Sequence, residues 1–523
     1  MHKPPTIAGI FIAVALLSIV ICLPYLDTLQ LWHEEPRRAL IAEDMQQSGN
    51  YIVPRYMEEI YVAKPPLYNW LVIAVSLPFG EISELSIRLT SFICLLLLIA
   101  SMLMIHQRWL GIPGLTFLSL ALALSPEFIN KATLGEIDIS FTLLVSLSLW
   151  LWFSLDQKQV RGIALWLIPG VLISLAFLAK REPAFVFYYV GLGAYLLYQR
   201  RLLELFQPAH LVSAAITLGI IGIWLWQMHN AVGIDTLMGS SVNELFNRGL
   251  VGSLISTAQH MVTYPFEIGL AIFPFSLILI TLLHRQTRTV AIQLYPDVLT
   301  FASITAVANF LVYWFVSEAS VRYFLPMLPS VLVICAILYQ IALETTPKWI
   351  RNIAIGISIF TLLLAILLNL FLHQGLFGLG TTPPAVLASS AANTLAICAV
   401  FLALASLWAN IKGTHLLAAL VILMMTYRVI YYDVLLPRKV AQFQQERDIA
   451  TFVSHVYENV PISKLPVGAS KALPHEIWWQ LEYGDITRAR REYFLTDEPP
   501  STSQSIISTM NFRGREIFLL RQN

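Results

Sequence analysis

Apolar segments of membrane-spanning length alternate with short polar stretches along most of the chain. The first segment, 7–26, holds about twenty residues, which is enough to cross a hydrocarbon core about 30 Å thick. It lacks a small-residue cleavage site before the polar Asp27, so we interpret it as a retained helix and not a cleaved signal. Further apolar segments follow at 88–106, 112–126, 138–155, 162–180, 183–198, 209–229, 267–283, 297–316, 322–342, 352–372, 387–409 and 414–435. The pattern predicts an all-α polytopic membrane protein with about thirteen spans.

Composition supports this fold class. Of the 523 residues, 57% are hydrophobic and only 12% charged, and the mean hydropathy is +0.69, so the chain has too few polar residues to cover a globule of its size. The net charge of +1 argues against a nucleic-acid partner, which requires a basic surface. The four cysteines lie inside apolar segments, so no disulfide framework is predicted.

One further apolar segment, 65–80, decides the orientation of the chain. If it lies along the membrane interface, the basic loops fall on the same side as Lys3, as the positive-inside rule requires. If it spans, those loops are exported. We therefore predict an interfacial segment, a cytoplasmic N-terminus and an acidic, proline-rich extracytoplasmic face. The basic loops contain Arg108, Lys158, Arg161, Arg200, Arg201, Arg285, Arg288, Lys348, Arg351 and Lys412.

The chain changes character after the last span. A helical pattern covers 440–457 and a second covers 474–483, short strands are predicted at 466–469 and 516–520, and the Ser-Thr-rich stretch 501–509 resembles a loop. We therefore divide the chain into a transmembrane domain, 1–435, whose first outer loop is 27–87, and a small extracytoplasmic α/β domain, 436–523.

The first loop concentrates charge beside the membrane. Glu34 and Glu35 precede a helix that Pro36 begins and Gly49 ends, so both carboxylates lie at its positive end. Arg37 and Arg38 follow within one turn, close enough to keep at least one carboxylate ionised and able to act as a base. The alternative is a solvated helix start with a surface salt bridge worth about 0–1 kcal/mol.

A lysine lies further along the same loop. Lys64 directly precedes Pro65 and Pro66, which stiffen the backbone. A lysine at this level is suited to hold a lipid phosphate. The alternative is ordinary snorkelling of a long cationic side chain towards the membrane surface.

These motifs resemble those of a known family. Three runs of this sequence carry the resemblance: Glu34-Glu-Pro-Arg-Arg-Ala-Leu-Ile-Ala-Glu-Asp-Met45, Ser48-Gly-Asn-Tyr-Ile-Val-Pro54, and Lys64-Pro-Pro-Leu-Tyr-Asn-Trp70. They resemble the first extracytoplasmic loop of bacterial polyprenyl-phosphate-dependent glycosyltransferases. These are GT-C fold enzymes related to protein O-mannosyltransferases and the lipid A aminoarabinose transferase. The resemblance continues in Ile87-Arg-Leu89, Ser125-Pro126, Gly135-Glu-Ile-Asp138, Leu178-Ala-Lys180, Phe273-Pro-Phe-Ser276 and Arg322-Tyr-Phe-Leu-Pro326.

The resemblance implies a mechanism. An acceptor hydroxyl attacks the sugar of a polyprenyl-phosphate donor with inversion, and a carboxylate takes the proton. The family's usual first acid is aspartate, and Glu34 stands here, so either Glu34 or Glu35 is the base; Asp138 matches the second acid, and its alternative role is a helix N-cap. Lys64 matches the residue that binds the lipid phosphate. Further candidates for phosphate contacts are Arg37, Arg248, Arg322 and Tyr323.

Three questions stay open at this stage. A divalent metal is possible but not predicted. His260 resembles a zinc ligand of the aminoarabinose transferase, but the position before Lys64, where that family has an acid, holds Ala63. His33 is a weaker candidate ligand. The acceptor is a glycolipid such as lipid A, a polysaccharide or a protein hydroxyl. The alternative function is a transporter or flippase of lipid-linked glycans, which should place ionisable residues and broken helices near the bilayer midplane, whereas the spans predicted here are uninterrupted.

Overall fold

The structure is a computed structural model, and the residues that it describes are mostly helical. They are residues 6–24, 26–27, 31, 33–56, 59–233, 254–316, 319–374, 390–435, 460, 467–469, 486–487, 493–499, 504–512 and 515–522. The predicted helices at 440–457 and 474–483 lie outside these residues, and so does Arg248.

Seventeen α-helices, numbered in chain order, occur in the described residues. They are α1 Ile7–Cys22, α2 Glu35–Ser48, α3 Leu67–Ser76, α4 Glu84–His106, α5 Ile112–Leu124, α6 Pro126–Ala132, α7 Asp138–Gln157, α8 Ile163–Lys180, α9 Pro183–Tyr198, α10 Pro208–Val232, α11 Leu254–Ala271, α12 Arg285–Leu294, α13 Pro296–Trp314, α14 Leu328–Thr345, α15 Pro347–Gln374, α16 Ser390–Lys412 and α17 Leu416–Arg428. Short 3-10 turns connect several of them, including Val321–Tyr323 and Leu325–Met327.

Many of these helices are suited to a membrane. Among the described residues, eight are long and apolar enough to cross it, and two bent pairs raise the number to ten. The three remaining predicted spans coincide with shorter apolar helices, α1, α9 and α17. The chain is therefore a multi-pass membrane protein, as its sequence predicts.

The prediction of uninterrupted spans was wrong at two places. α5 and α6 meet at an angle of 54° around Ser125, because Pro126 cannot continue the hydrogen bonding of α5. The segment 256–271 meets the 3-10 stretch Phe275–Leu283 at 113°. The first bend places α6 and its Lys131 beside the loop that leads into α7.

The segment after Lys64 is too short to span. α3 has ten residues, which amounts to about 15 Å, half of a hydrocarbon core. Tyr68, Val72 and Ile73 are buried on one side, while Leu77 just beyond its end is 70% exposed. This geometry agrees with the predicted interfacial segment.

The C-terminal strands form one mixed sheet. Its strands, numbered after the two-stranded hairpin β1 Arg55–Tyr56 and β2 Glu59–Ile60, are β3 Val467–Ala469, β4 Ile486–Thr487, β5 Tyr493–Thr496, β6 Gln504–Phe512 and β7 Arg515–Gln522. The order is β4-β3-β5-β7-β6, with β3 parallel to both neighbours and β7 antiparallel to β5 and β6. β3 and β7 match the predicted strands. The predicted loop at 501–509 is largely β6, since it contains the β-branched residues Ile506, Ile507 and Thr509, which suit a strand.

A cluster of aromatic side chains lies in the core. Trp150 and Trp152 are completely buried beside Phe153, Tyr195 and Phe301, so these tryptophans pack between helices and do not face lipid.

Candidate active site

The two carboxylates at the start of α2 have different environments. Pro36 occupies the first turn and Gly49 ends the helix with φ 69°, as the sequence predicts. The Glu35 side chain is completely buried, whereas the Glu34 side chain is 35% exposed. The two candidate bases therefore differ in their access to a substrate.

Glu35 is held by partners from two other segments. Arg88 on α4 donates two hydrogen bonds to its carboxylate, at 2.8 and 2.9 Å, and the backbone N–H of Gly135 donates a third at 2.7 Å. Arg88 also donates to the backbone oxygen of Leu26. Glu35 thus joins α2, α4 and the loop before α7.

Close packing at position 135 leaves no room for a Cβ atom. A Cβ atom at this position would lie 2.0 Å from Cγ2 of Ile87 and 3.4 Å from Oε1 of Glu35. We therefore expect Gly135→Ala to destabilise the protein by about 1–3 kcal/mol, because overpacking must displace Ile87 or the Glu35 contact. Thermal unfolding in detergent measures the effect. Gly193→Ala, at a helical glycine whose added Cβ would meet no neighbouring side chain or segment within 4 Å, is the control and should not lower the unfolding temperature.

Glu34 has cationic and aromatic neighbours. Nη1 of Arg37 donates to both of its oxygens, at 2.8 and 3.1 Å, and Nη2 of Arg38 lies 3.6 Å from Oε2. Arg38 also donates to the hydroxyl of Tyr61 at 3.1 Å. Burial raises the pKa of Tyr61, but the charges of Arg38 and Arg37 outweigh it and bring that pKa below its ordinary value. Two arginines and a tyrosine therefore surround the Glu34 carboxylate.

Asp138 does not act as the N-cap of α7. The cap residue is Ile137, without a side-chain capping bond, and the Asp138 carboxylate instead receives a hydrogen bond from Lys180 at the end of α8. Lys131 of α6 lies 3.6 Å from its other oxygen. Asp138 thereby gathers two buried lysines from two different helices.

Glu136 completes this charged group. Its carboxylate accepts a hydrogen bond from Lys131 at 2.6 Å and lies 3.5 Å from Nδ1 of His33. His33 precedes Glu34, so the start of α2 and the Asp138 group are linked twice, through Glu35 to Gly135 and through His33 to Glu136.

Arg322 and Tyr323, two of the predicted phosphate contacts, lie beside this group. Nζ of Lys180 lies 5.6 Å from the ring of Tyr323, and Arg322 lies over the same ring. Burial lowers the pKa of Arg322, but the hydroxyl of Tyr323 and the charges of Asp138 and Glu136 raise that pKa by more. The pKa of Arg322 therefore lies above its ordinary value. Arg322 and Tyr323 therefore face the charged group that Asp138 organises.

Three hydrogen bonds hold the backbone of the first loop on the N-terminal side of Lys64. Arg181 donates to the backbone oxygen of Val62 at 3.0 Å, Trp70 donates to that of Tyr51, and Trp224 of α10 donates to that of Ile52. Lys64 itself is partly buried. Its segment is fixed beside the turn that carries Lys180.

The C-terminal sheet lies against the same loop. Tyr493, Leu495, Ile517 and Leu519 of the sheet share one buried cluster with α2 and α3. From α2 the cluster contains Ala39, Leu40, Ile41, Ala42 and Met45, and from α3 it contains Tyr68, Val72 and Ile73. The sheet therefore packs in the same cluster as α2, which begins directly after Glu34.

His260 and His33, the two candidate metal ligands, have different surroundings. His260 contacts the backbone oxygen of Tyr313 at 3.3 Å and packs on the ring of Tyr264. Nδ1 of His33 lies 3.5 Å from the carboxylate of Glu136. No group of three or more His, Cys, Asp or Glu side chains suited to a metal occurs in the part of the chain that the structure describes.

Four charged residues of this site were not chosen from the sequence: Arg88, Lys131, Glu136 and Lys180. Arg88 and Lys180 stand inside motifs that carried the family resemblance, which is a usable signal. Glu136 also stands inside such a motif, Gly135-Glu-Ile-Asp138. Lys131 gives no such signal, because only the bend at Ser125 and the turn before α7 bring it to Glu136.

Comparison with known proteins supports the same family. Residues 63–226 match the family model described as dolichyl-phosphate-mannose-protein mannosyltransferase. An undecaprenyl phosphate-alpha-4-amino-4-deoxy-L-arabinose arabinosyl transferase 2 of Pseudomonas fluorescens Pf-5 is 31% identical over 42% of this chain and 38% of its own. An arabinosyl transferase of the same description from Pseudomonas savastanoi pv. phaseolicola is 30% identical over 41% of each chain. The chain thus matches about two fifths of the length of these relatives.

One solved structure matches nearly the whole fold. ArnT of Cupriavidus metallidurans bound to undecaprenyl phosphate superposes with a TM-score of 0.70, covering 98% of this chain and 97% of that chain at 18% identity. The apo form of the same protein gives 0.69. The predicted GT-C fold is confirmed, with a small β-sheet at the C-terminus.

Proposed function

Because this chain is a relative of the polyprenyl-phosphate-dependent glycosyltransferases with the GT-C fold, we propose that it transfers a sugar from a polyprenyl-phosphate donor to a hydroxyl acceptor. The observation that carries the proposal is the convergence of Glu34, Asp138 and the Lys64 segment at one end of the bundle. That end combines an accessible carboxylate with several buried cations, which suits the departure of a phosphate.

Glu34 is the base in this proposal. It is the more exposed carboxylate, and Nη1 of Arg37 donates to both of its oxygens and so orients it. Glu35 is a structural residue, because its carboxylate is buried and receives three hydrogen bonds. Asp138 fixes Lys180 and Lys131, and so sets the positive charge of the site without taking the proton.

The chemistry follows from these positions. The acceptor oxygen attacks the anomeric carbon as its proton passes to Glu34, and the bond from that carbon to the phosphate oxygen breaks on the opposite face, which inverts the configuration. The leaving phosphate gains negative charge beside Lys64. Two unit charges about 4 Å apart attract by about 4 kcal/mol at an effective dielectric constant near 20, so a fixed cation lowers the barrier appreciably.

The orientation is part of the proposal. We place the N-terminus in the cytoplasm, and the first loop and the C-terminal sheet on the extracytoplasmic side of the bacterial inner membrane. The short α3 supports this topology, since a segment that does not span leaves the basic loops on the cytoplasmic side. The sheet lies on the same side as the loop against which it packs.

A reconstitution experiment tests the function. The purified protein in lipid nanodiscs receives synthetic polyprenyl-phosphate sugars and an envelope extract as the acceptor source, and mass spectrometry follows released polyprenyl phosphate and glycosylated product. We expect stoichiometric release of both from at least one donor. If a folded protein leaves every donor intact but moves it between the leaflets of vesicles, the flippase alternative replaces the transferase.

Lys64→Ala tests the phosphate role. We expect the KM for the donor to rise at least about tenfold, as for the loss of a hydrogen bond to a charged group, while the KM for the acceptor stays within about twofold. Steady-state kinetics with each substrate varied in turn measures both values. Lys158→Ala removes an exposed lysine at the other end of α7 and should change neither. Equal weakening of donor and acceptor use in Lys64→Ala would count against the assignment.

A further inference from the structure

Arg181 has a backbone conformation that suits glycine better than arginine. It directly follows α8, with φ 65° and ψ −139°. A residue with a Cβ atom is strained in this region, which glycine enters freely. An arginine in this conformation is a backbone outlier, and such outliers cluster at functional sites.

The side-chain contacts of Arg181 point towards the donor site. The Arg181 side chain is only 5% exposed, and its Nη1 donates to the backbone oxygen of Val62 at 3.0 Å while Nη2 lies 3.1 Å from the carboxylate of Glu182. Val62 is two residues before Lys64, and Pro65 and Pro66 stiffen the chain after it. The guanidinium therefore fixes the backbone on the N-terminal side of Lys64.

The same turn also fixes the Asp138 group. Lys180, the neighbour of Arg181, binds the Asp138 carboxylate. Two adjacent residues thus reach in two directions, one to Asp138 and one to the Lys64 segment. The distance between Lys64 and the Asp138 group depends on this turn.

We propose that Arg181 is a positioning residue that sets Lys64 for contact with the donor phosphate. The proposal rests on the transferase function proposed above. If this is so, Arg181 affects donor binding only through Lys64. Its strained backbone then serves substrate binding and does not stabilise the fold.

Arg181→Gly separates these two roles. Glycine adopts the turn without strain, so the thermal unfolding temperature should stay the same or rise, while the KM for the donor should rise about tenfold or more, with the acceptor KM unchanged. Arg181→Lys keeps the charge and the strain but loses the fork that spans Val62 and Glu182, and it should recover only part of the donor affinity. A lower unfolding temperature together with proportional changes in both KM values would show a merely structural role and overturn the proposal.

A double-mutant cycle gives the sharper measurement. In the Lys64→Ala background, Arg181→Gly should cause less than about a twofold further change in donor KM, because the residue it positions is already gone. Additive effects would show that Arg181 acts independently of Lys64. Arg161→Gly, at an exposed arginine of the opposite end that binds Asp156, is the matched control and should leave donor KM unchanged.

Hydrogen exchange tests the positioning without requiring turnover. Peptides covering 59–71 should exchange several-fold faster in Arg181→Gly than in the wild type, and the variant should bind undecaprenyl phosphate, measured by thermal shift, more weakly. If the wild type transfers no sugar yet these two differences appear, the transferase proposal fails and the positioning of Lys64 stands. Unchanged exchange at 59–71 overturns the positioning even in an active enzyme.

Discussion

Replacing Glu34 with glutamine should reduce turnover by at least about a hundredfold, the usual contribution of a positioned general base. Glutamine retains the size of the side chain and can still contact Arg37, but it cannot accept the acceptor's proton. Because Glu34 is partly exposed and its ion pair is solvated, the unfolding temperature should change little. The rate of polyprenyl-phosphate release under saturating donor and acceptor gives the comparison with the wild type.

The chain offers a matched control for this change. Glu204 also pairs with an arginine three residues away, Arg201, at 2.8 Å, and its side chain is similarly part-buried at 23% exposure. It lies at the opposite end of the bundle, where Arg201 also binds Asp156. Glu204→Gln should retain full turnover. Full turnover in Glu34→Gln as well would remove Glu34 as the base, and the proton acceptor would have to be sought elsewhere.

Replacing Glu35 with alanine should cost about 3–5 kcal/mol of stability, the range for breaking a buried ion pair. The change leaves the Arg88 guanidinium buried without its counter-charge and removes the acceptor of the Gly135 N–H. Most of the protein should therefore fail to fold at ordinary temperatures. Fluorescence-detected size-exclusion chromatography after a temperature series measures the loss.

A second substitution distinguishes loss of the ion pair from loss of a catalyst. In Glu35→Leu with Arg88→Met, two apolar side chains replace the pair, and stability should recover by at least about half. The folded double variant should also retain measurable turnover, since Glu34 is still present. A stable Glu35→Ala protein without turnover would reverse the two roles and make Glu35 the base.

The sequence predicted the fold well because the bilayer leaves few alternatives. Backbone groups in lipid must be satisfied internally, so each long apolar segment becomes a helix, and the predicted spans correspond to observed helices. The start and end of α2 were also predictable, because Pro36 and Gly49 act through local backbone geometry. Chain regions with fewer constraints were harder to predict, as the strand found at 504–512 shows.

The pairing of charges was predictable only over short distances. Glu34 and Arg37 are one helical turn apart, and they pair as their spacing suggests. Glu35 has the same local arginines, yet its partner is Arg88, 53 residues further along. Which of two adjacent carboxylates faces the core depends on how α2 packs against α4, and that packing is a property of the tertiary structure.

From the sequence alone came the helical membrane fold, the charged first loop and the family, because hydropathy, helix caps and motif spacing are local. Only the tertiary structure decided that Glu35 is buried while Glu34 is accessible, that Asp138 binds lysines rather than capping its helix, and that the C-terminal sheet packs behind α2. These facts depend on contacts between segments far apart in the chain. Such contacts form through the shape and packing of whole helices, which no short stretch of sequence contains.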